Sequence, residues 1–208
     1  MMPRILLYFL SLILITTSAI AREHSGKLIL KKKLENFTTS LESDYRYDEE
    51  GLDYRHYDLG IRIPFLDNWL TSINYRTTFR YKKNKWRIEK RPHISLQKTF
   101  NTNLAKIQIR SRQEYRFRSD KTTSTRNRIR IIVKPNETFF HLKPFIGNEI
   151  FYDFDKKKYN RNWLVLGADF PKTNFGKYSI YYKHITSLNS QDNWNYDYSI
   201  VFKLTYEF

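Results

Sequence analysis

Cysteine is absent from this 208-residue chain, so neither a disulfide framework nor a thiolate metal site can hold it together. Glycine is scarce, with six residues, and no glycine-rich loop is present to cradle a phosphate. Proline also numbers six, and no stretch of Pro, Gly or Ser is long enough to act as a linker, which predicts one domain. After residue 21 there is no long apolar run, and a helical membrane span would need about 20 such residues. Metal-ligand spacing and a recognisable nucleophile motif are missing too. His56, His93, His141 and His184 fall in expected strands and Ser95 shares the phase of His93, but single histidines among Arg and Tyr are more often structural. No catalytic residue, metal or cofactor is therefore assigned.

Acidic residues are outnumbered, at 21 against 37 Lys and Arg, giving a net charge of +16. The N-terminus decides how to interpret that excess. Arg4 is followed by an apolar run over residues 5–15 and then by Ala19, Ile20 and Ala21, the layout of a secretory signal peptide. Cleavage after Ala21 is expected, with 1–21 as the signal peptide, 22–36 as a periplasmic N-terminal lead and 37–208 as the folded body. An exported chain does not normally meet nucleic acid, so no nucleic-acid partner is expected. The positive charge is assigned instead to lipopolysaccharide phosphates, small anionic solutes or a lumen.

What the chain does contain is period-two alternation. Trp194, Tyr196, Tyr198, Ile200, Phe202, Leu204, Tyr206 and Phe208 occupy every second position, with mainly polar residues between them and Val201 as the apolar intruder. The segment is far longer than the 5–6 residues typical of a soluble strand, and long enough to cross a bilayer at a tilt. It resembles the closing strand of outer-membrane barrels, which ends in Phe and is read by the barrel-assembly machinery. Phe202, Leu204, Tyr206 and Phe208 would form that assembly signal. Similar alternation recurs near 37–47, 54–65, 69–82, 86–98, 104–118, 126–134, 138–152, 161–170 and 177–186. The fold predicted is all-β, a single antiparallel up-and-down transmembrane β-barrel of about ten strands, or twelve if residues 22–36 also pair. Compact links at Asp67 and Asn68, 101–103, Pro135 and Asn136, and 171–176 are expected to be periplasmic turns. The longer polar links at 48–53, 119–125, 153–160 and 187–193 are expected to be extracellular loops, with both termini periplasmic.

If the apolar phase faces lipid, the other phase lines a lumen. It carries Arg76 and Arg80, then Arg87, Glu89, Arg91 and His93, then Arg110, Arg112, Glu114, Arg116 and Arg118, then Arg126, Arg128 and Arg130. A charge on the lipid face costs roughly 2–4 kcal/mol near the midplane, so this phase must point inward or sit at strand ends. Glu89, Glu114 and Glu149 are the expected lumenal carboxylates, too few to neutralise the arginines. Arg76, Arg80, Arg110, Arg112, Arg116, Arg128 and Arg130 are the candidate lumenal anion-binding residues. Eight strands are filled by side chains and sixteen leave a channel, so about ten should be nearly plugged.

From Arg126 onward the chain resembles an uncharacterised family of bacterial outer-membrane barrels, a domain of unknown function, best matched over 126–208. The resemblance is carried by Arg126-Asn127-Arg128 with Arg130, by Lys143-Pro144-Phe145 leading to Asn148-Glu149-Ile150-Phe151, by Asn160-Arg161 through Gly167, and by the aromatic closing strand. It implies a barrel in which Glu149 and Arg161 sit on adjacent strands as an inward pair; with Glu114 from the lumenal phase, these three are the inward ion-pair candidates. It implies no activity. Trp163 and Val165 follow Arg161 on the inward phase, so either the lumen is partly apolar there or the phase of the strand shifts. The function expected is an outer-membrane barrel in a structural or surface-interaction role, with a porin-like, narrow anion-preferring pore as its extension. Its partners would be outer-membrane lipid, lipopolysaccharide, the assembly machinery and small anionic solutes. A lipid-modifying enzyme, lipase or acyltransferase, is the alternative.

Overall fold

The computed structural model describes residues 22–119, 121–189 and 191–208, and the expected signal peptide lies outside them. Among the described residues there is no helix. The chain forms β1 (Glu23–Lys33), β2 (Thr38–Asp48), β3 (Gly51–Leu66), β4 (Trp69–Lys82), β5 (Lys85–Asn101), β6 (Ala105–Arg118), β7 (Lys121–Pro135), β8 (Lys143–Asp153), β9 (Lys158–Asp169), β10 (Lys177–Leu188) and β11 (Trp194–Glu207). Each strand pairs antiparallel with the next, and β1 pairs with β11 to close the barrel.

The ten alternating segments all form strands, but among the described residues the count is eleven, neither ten nor twelve. The extra strand is β1, so most of the expected 22–36 lead is part of the wall. An odd number of up-and-down strands leaves the first and last running in the same direction. The seam is accordingly parallel, with Glu23 opposite Ser199 and Lys31 opposite Glu207. This corrects the all-antiparallel expectation and also the placing of both termini at one end, because the chain enters at one end of the barrel and leaves at the other.

The expected contrast between short turns and long loops is also absent. The strands extend into the polar links, reducing them to 49–50, 83–84 and 119–120 at one end, where 154–157 and 189–193 are longer. At the opposite end, 136–142 and 170–176 are the longest links of all. Turn chemistry is local: Lys83 and Asn84 both have positive φ, 52° and 59°, as a two-residue hairpin turn following the right-handed twist of its strands requires. His141, expected in a strand, lies in the 136–142 link with φ 64°.

The two faces of the wall have opposite chemistry. Outside stand Leu59, Ile61, Ile73, Tyr75, Ile94, Ile131, Leu166 and Phe202, all exposed, with Leu59 at 64%. Inside, Asp44, His56, Asp58, Glu114, Arg128 and Glu149 are buried, Asp44 and Glu114 at 1%. Strand alternation produces this inversion directly, since successive side chains point to opposite faces. Phe151, Val201, Phe145 and Ile185 are among the inward apolar exceptions.

Candidate functional site: the charged lumen

Two networks of ion pairs fill much of the interior. The first joins β1 to β5. Asp44 accepts from Ser25 Oγ at 2.8 Å and is paired with Lys27 at 3.2 Å and Arg46 at 3.3 Å. Asp58 accepts from Arg76 Nε and Asn74 Nδ2, both at 2.7 Å, and Glu42 lies 2.9 Å from His56 Nε2. The three acids share one inward phase on β2 and β3. They were missed among the expected lumenal carboxylates, although Glu42, Asp44 and Arg46 alternate visibly in the sequence.

The second network joins β5 to β8. Glu89 accepts from Arg91 Nε at 2.8 Å and is also bound by Arg116. Glu114 is held by Arg126 and by Arg128 Nη1, the latter at 2.7 Å. Glu149 takes Arg128 Nη2 at 2.8 Å and Arg110 Nη2 at 2.7 Å. Arg128 thus bridges two carboxylates, and its guanidinium also lies 4.5 Å from the ring centre of Phe151 and 5.1 Å from that of Trp163. Planar bidentate contacts of this kind are what Arg supplies and Lys does not. At the end of the barrel carrying links 136–142 and 170–176, Asp169 gathers Lys134, Lys177 and Ser179 at 2.6, 2.9 and 2.7 Å.

Glu114 and Glu149 are therefore inward ion-pair residues, but Arg161 is not their partner. In the β8–β9 register Arg161 faces Phe151, and Glu149 faces Trp163. The Glu149–Arg161 pair implied by the family resemblance is corrected by that register. Of the alternatives raised for β9, the partly apolar lumen holds at Trp163 and Val165, both of which line the cavity, and the phase shift falls before Arg161 instead of after it. The register slips between Phe151 and Tyr152, so that Tyr159 points outward and Arg161 inward, and Trp163 makes the lumen partly apolar.

The arginine candidates fall into two groups. Arg76, Arg116 and Arg128 are bound by carboxylates, while Arg80 stacks 5.3 Å from the ring centre of Tyr54. Arg110, Arg112 and Arg130 stand together, and of these Arg110 shares the Glu149 carboxylate with Arg128. Arg110 is directly opposite Arg130 and Arg112 directly opposite Arg128 across β6 and β7. Like charges so placed destabilise a sheet. These residues line a cavity of about 400 Å³ running from mid-barrel toward the 136–142 end. It is bordered by far more cations than acids, with Lys27, Lys183 and Lys203 adding to the arginines.

Among the described residues, His93 and Ser95, inward on the same phase of β5, are not hydrogen-bonded to each other. Ser95 Oγ bonds Ser72 Oγ at 2.7 Å, and His93 Nδ1 donates to the Arg91 carbonyl at 3.2 Å. His184 faces outward against the rings of Tyr196 and Tyr198. No group of His, Asp and Glu able to hold a metal ion is present among the described residues.

Fold and site together define a closed β-barrel with an apolar outer wall and an arginine-rich, ion-paired interior. The family described as "Protein of unknown function (DUF2490)" matches residues 26–196, and the chain belongs to it. The match begins inside β1 and ends at the start of β11, so it takes in the first half of the barrel and residues 126–196 of the resembling region, while the closing strand beyond residue 196 lies outside it. No curated protein and no solved structure matches the chain.

Proposed function

We propose that the protein is an outer-membrane β-barrel of a Gram-negative envelope, exported by residues 1–21, with a lumen largely filled by ion-paired side chains. The observation that carries this reading is the inverted polarity of the wall. Leu59, Ile73 and Leu166 are exposed at 64, 59 and 55%, while Asp44, His56 and Glu114 are buried at 1%. In water this arrangement is unfavourable, since exposed apolar surface costs about 25 cal/mol per Å². In a bilayer it is the stable one, because the hydrocarbon removes the exterior cost and closure leaves no unpaired strand edge. Outward Arg55, whose guanidinium lies 5.0 Å from the ring centres of both Phe79 and Trp86, suits a headgroup level where lipopolysaccharide phosphates lie.

A gel of the outer-membrane fraction run with and without heating tests fold and location together. The expected result is a band in that fraction whose migration changes on heating. Recovery only in the soluble fraction would overturn the proposal.

A narrow anion-preferring pore is a second reading, favoured by the cationic surplus around the 400 Å³ cavity. Planar-bilayer recordings test it. Anion selectivity lost on R110Q and R128Q supports conduction, and the absence of any conductance above background removes it.

A further inference from the structure

We propose that the lumenal cavity is a binding site for a small phosphorylated solute, held by Arg110, Arg112, Arg130 and Trp163. The inference goes beyond the proposed location, and binding is read separately from membrane fractionation.

The register assembles the site. Gln97, Arg110, Arg130, Glu149 and Trp163 follow one another across β5 to β9, each directly opposite the next. Arg112 and Arg128 form the adjoining row. Two guanidinium pairs thus face each other across neighbouring strands, and Glu149 reaches one member of each pair, Arg110 and Arg128. Arg130 has no side-chain hydrogen bond or ion pair among the described residues. Arg112 has none shorter than a 3.9 Å approach to Glu114, and its residue is only 9% exposed.

The buried side-chain atoms without a partner show which chemistry is needed. Among the residues lining the cavity they are Arg110 Nε, Arg112 Nε, Trp163 Nε1 and Asn74 Oδ1. Three of the four are obligate donors, since neither a guanidinium nor an indole N–H accepts a hydrogen bond. A buried donor without a partner costs about 1–3 kcal/mol, more when charged, so a cluster of them favours a ligand made of acceptors. A phosphoryl group offers several acceptor oxygens and up to two negative charges, and planar guanidinium forks match it bidentately. The cavity exceeds a bare ion and falls within the roughly 300–1,000 Å³ range of small-molecule sites. Ser72, Gln97, Gln108 and Tyr181 line the rest of it, groups that suit a hydroxylated body.

Isothermal titration of the full chain folded in detergent, at constant ionic strength, tests the site with glucose 6-phosphate, inorganic phosphate, glucose and chloride. Saturable binding of both phosphates, tighter for glucose 6-phosphate, is expected, with none for glucose or chloride. R112Q/R130Q should weaken binding at least tenfold while the barrel keeps its heat-dependent migration. If that variant does not fold, R112K/R130K keeps the charge but loses the forks, and severalfold weaker binding is expected. No heat with either phosphate, a response equal to that of chloride, or unchanged affinity in the variant that folds would each overturn the site. Equal affinity for the two phosphates would keep the oxyanion site and overturn the contact with a hydroxylated body.

Discussion

At the scale of the residue, the interior depends on a few shared carboxylates. Glu149 is shared by Arg110 and Arg128, and Glu114 by Arg126 and Arg128. Removing one partner of a buried pair leaves uncompensated charge and costs about 3–5 kcal/mol. E149Q should therefore destabilise the barrel by about that amount, measured by urea unfolding in lipid vesicles; a change below about 1 kcal/mol would mean the network is redundant. Lys158 and Asp192 give the contrast. They pair at the barrel's end, Lys158 opening β9 and Asp192 lying in the 189–193 link, and the ammonium beside Asp192 holds its carboxyl below the usual range. Both groups meet solvent, so D192N should leave the same unfolding midpoint within error. The inward arginines were legible in the sequence because each strand from β4 to β7 repeats them at period two. Glu42, Asp44 and Asp58 could have been found by the same rule applied to β2 and β3.

At the scale of the element, β1 is the most consequential strand and the hardest to see. Its inward residues are Ser25, Lys27 and Lys31, but Leu28, Ile29 and Leu30 interrupt the alternation and Lys31, Lys32 and Lys33 end it. Its place is fixed by pairing with both β2 and β11, contacts remote in sequence on the β11 side. Deleting residues 23–33 should leave two open edges and abolish heat-dependent migration. A deletion protein that still shifts on heating would mean that ten strands close without it. Close strand approach matters at Gly167, where an added Cβ would lie 2.5 Å from the Ile180 carbonyl oxygen and 2.3 Å from Tyr181 Cβ. G167A should cost about 1–3 kcal/mol by overpacking, read as a lower urea midpoint, while the neighbouring outward A168V should not.

At the scale of the molecule, eleven strands give a barrel between the filled and the open cases. The lumen is neither dry nor vacant, with ion pairs and a cavity sharing it. On the proposed location, Phe208 lies at the end of the closing strand, its N–H donating to the Lys31 carbonyl at 3.0 Å across the seam. F208A should lower the amount of barrel in the outer-membrane fraction without changing total synthesis, measured by fractionation and immunoblot. Equal amounts in variant and parent would show that the terminal residue is not read during assembly.

Alternation by itself determined the all-β class, ten of the eleven strands and the sorting of apolar from charged faces, because in a strand each side chain's face follows from its position alone. Tertiary structure decided the rest. Strand number and the parallel seam depend on which distant edges meet. The partners of Glu149 and the isolation of Arg112 and Arg130 depend on register across five strands, and a one-residue slip such as that at Phe151 and Tyr152 reassigns them. The sequence placed arginines in the interior; only closure showed which of them carboxylates already hold and which face the cavity.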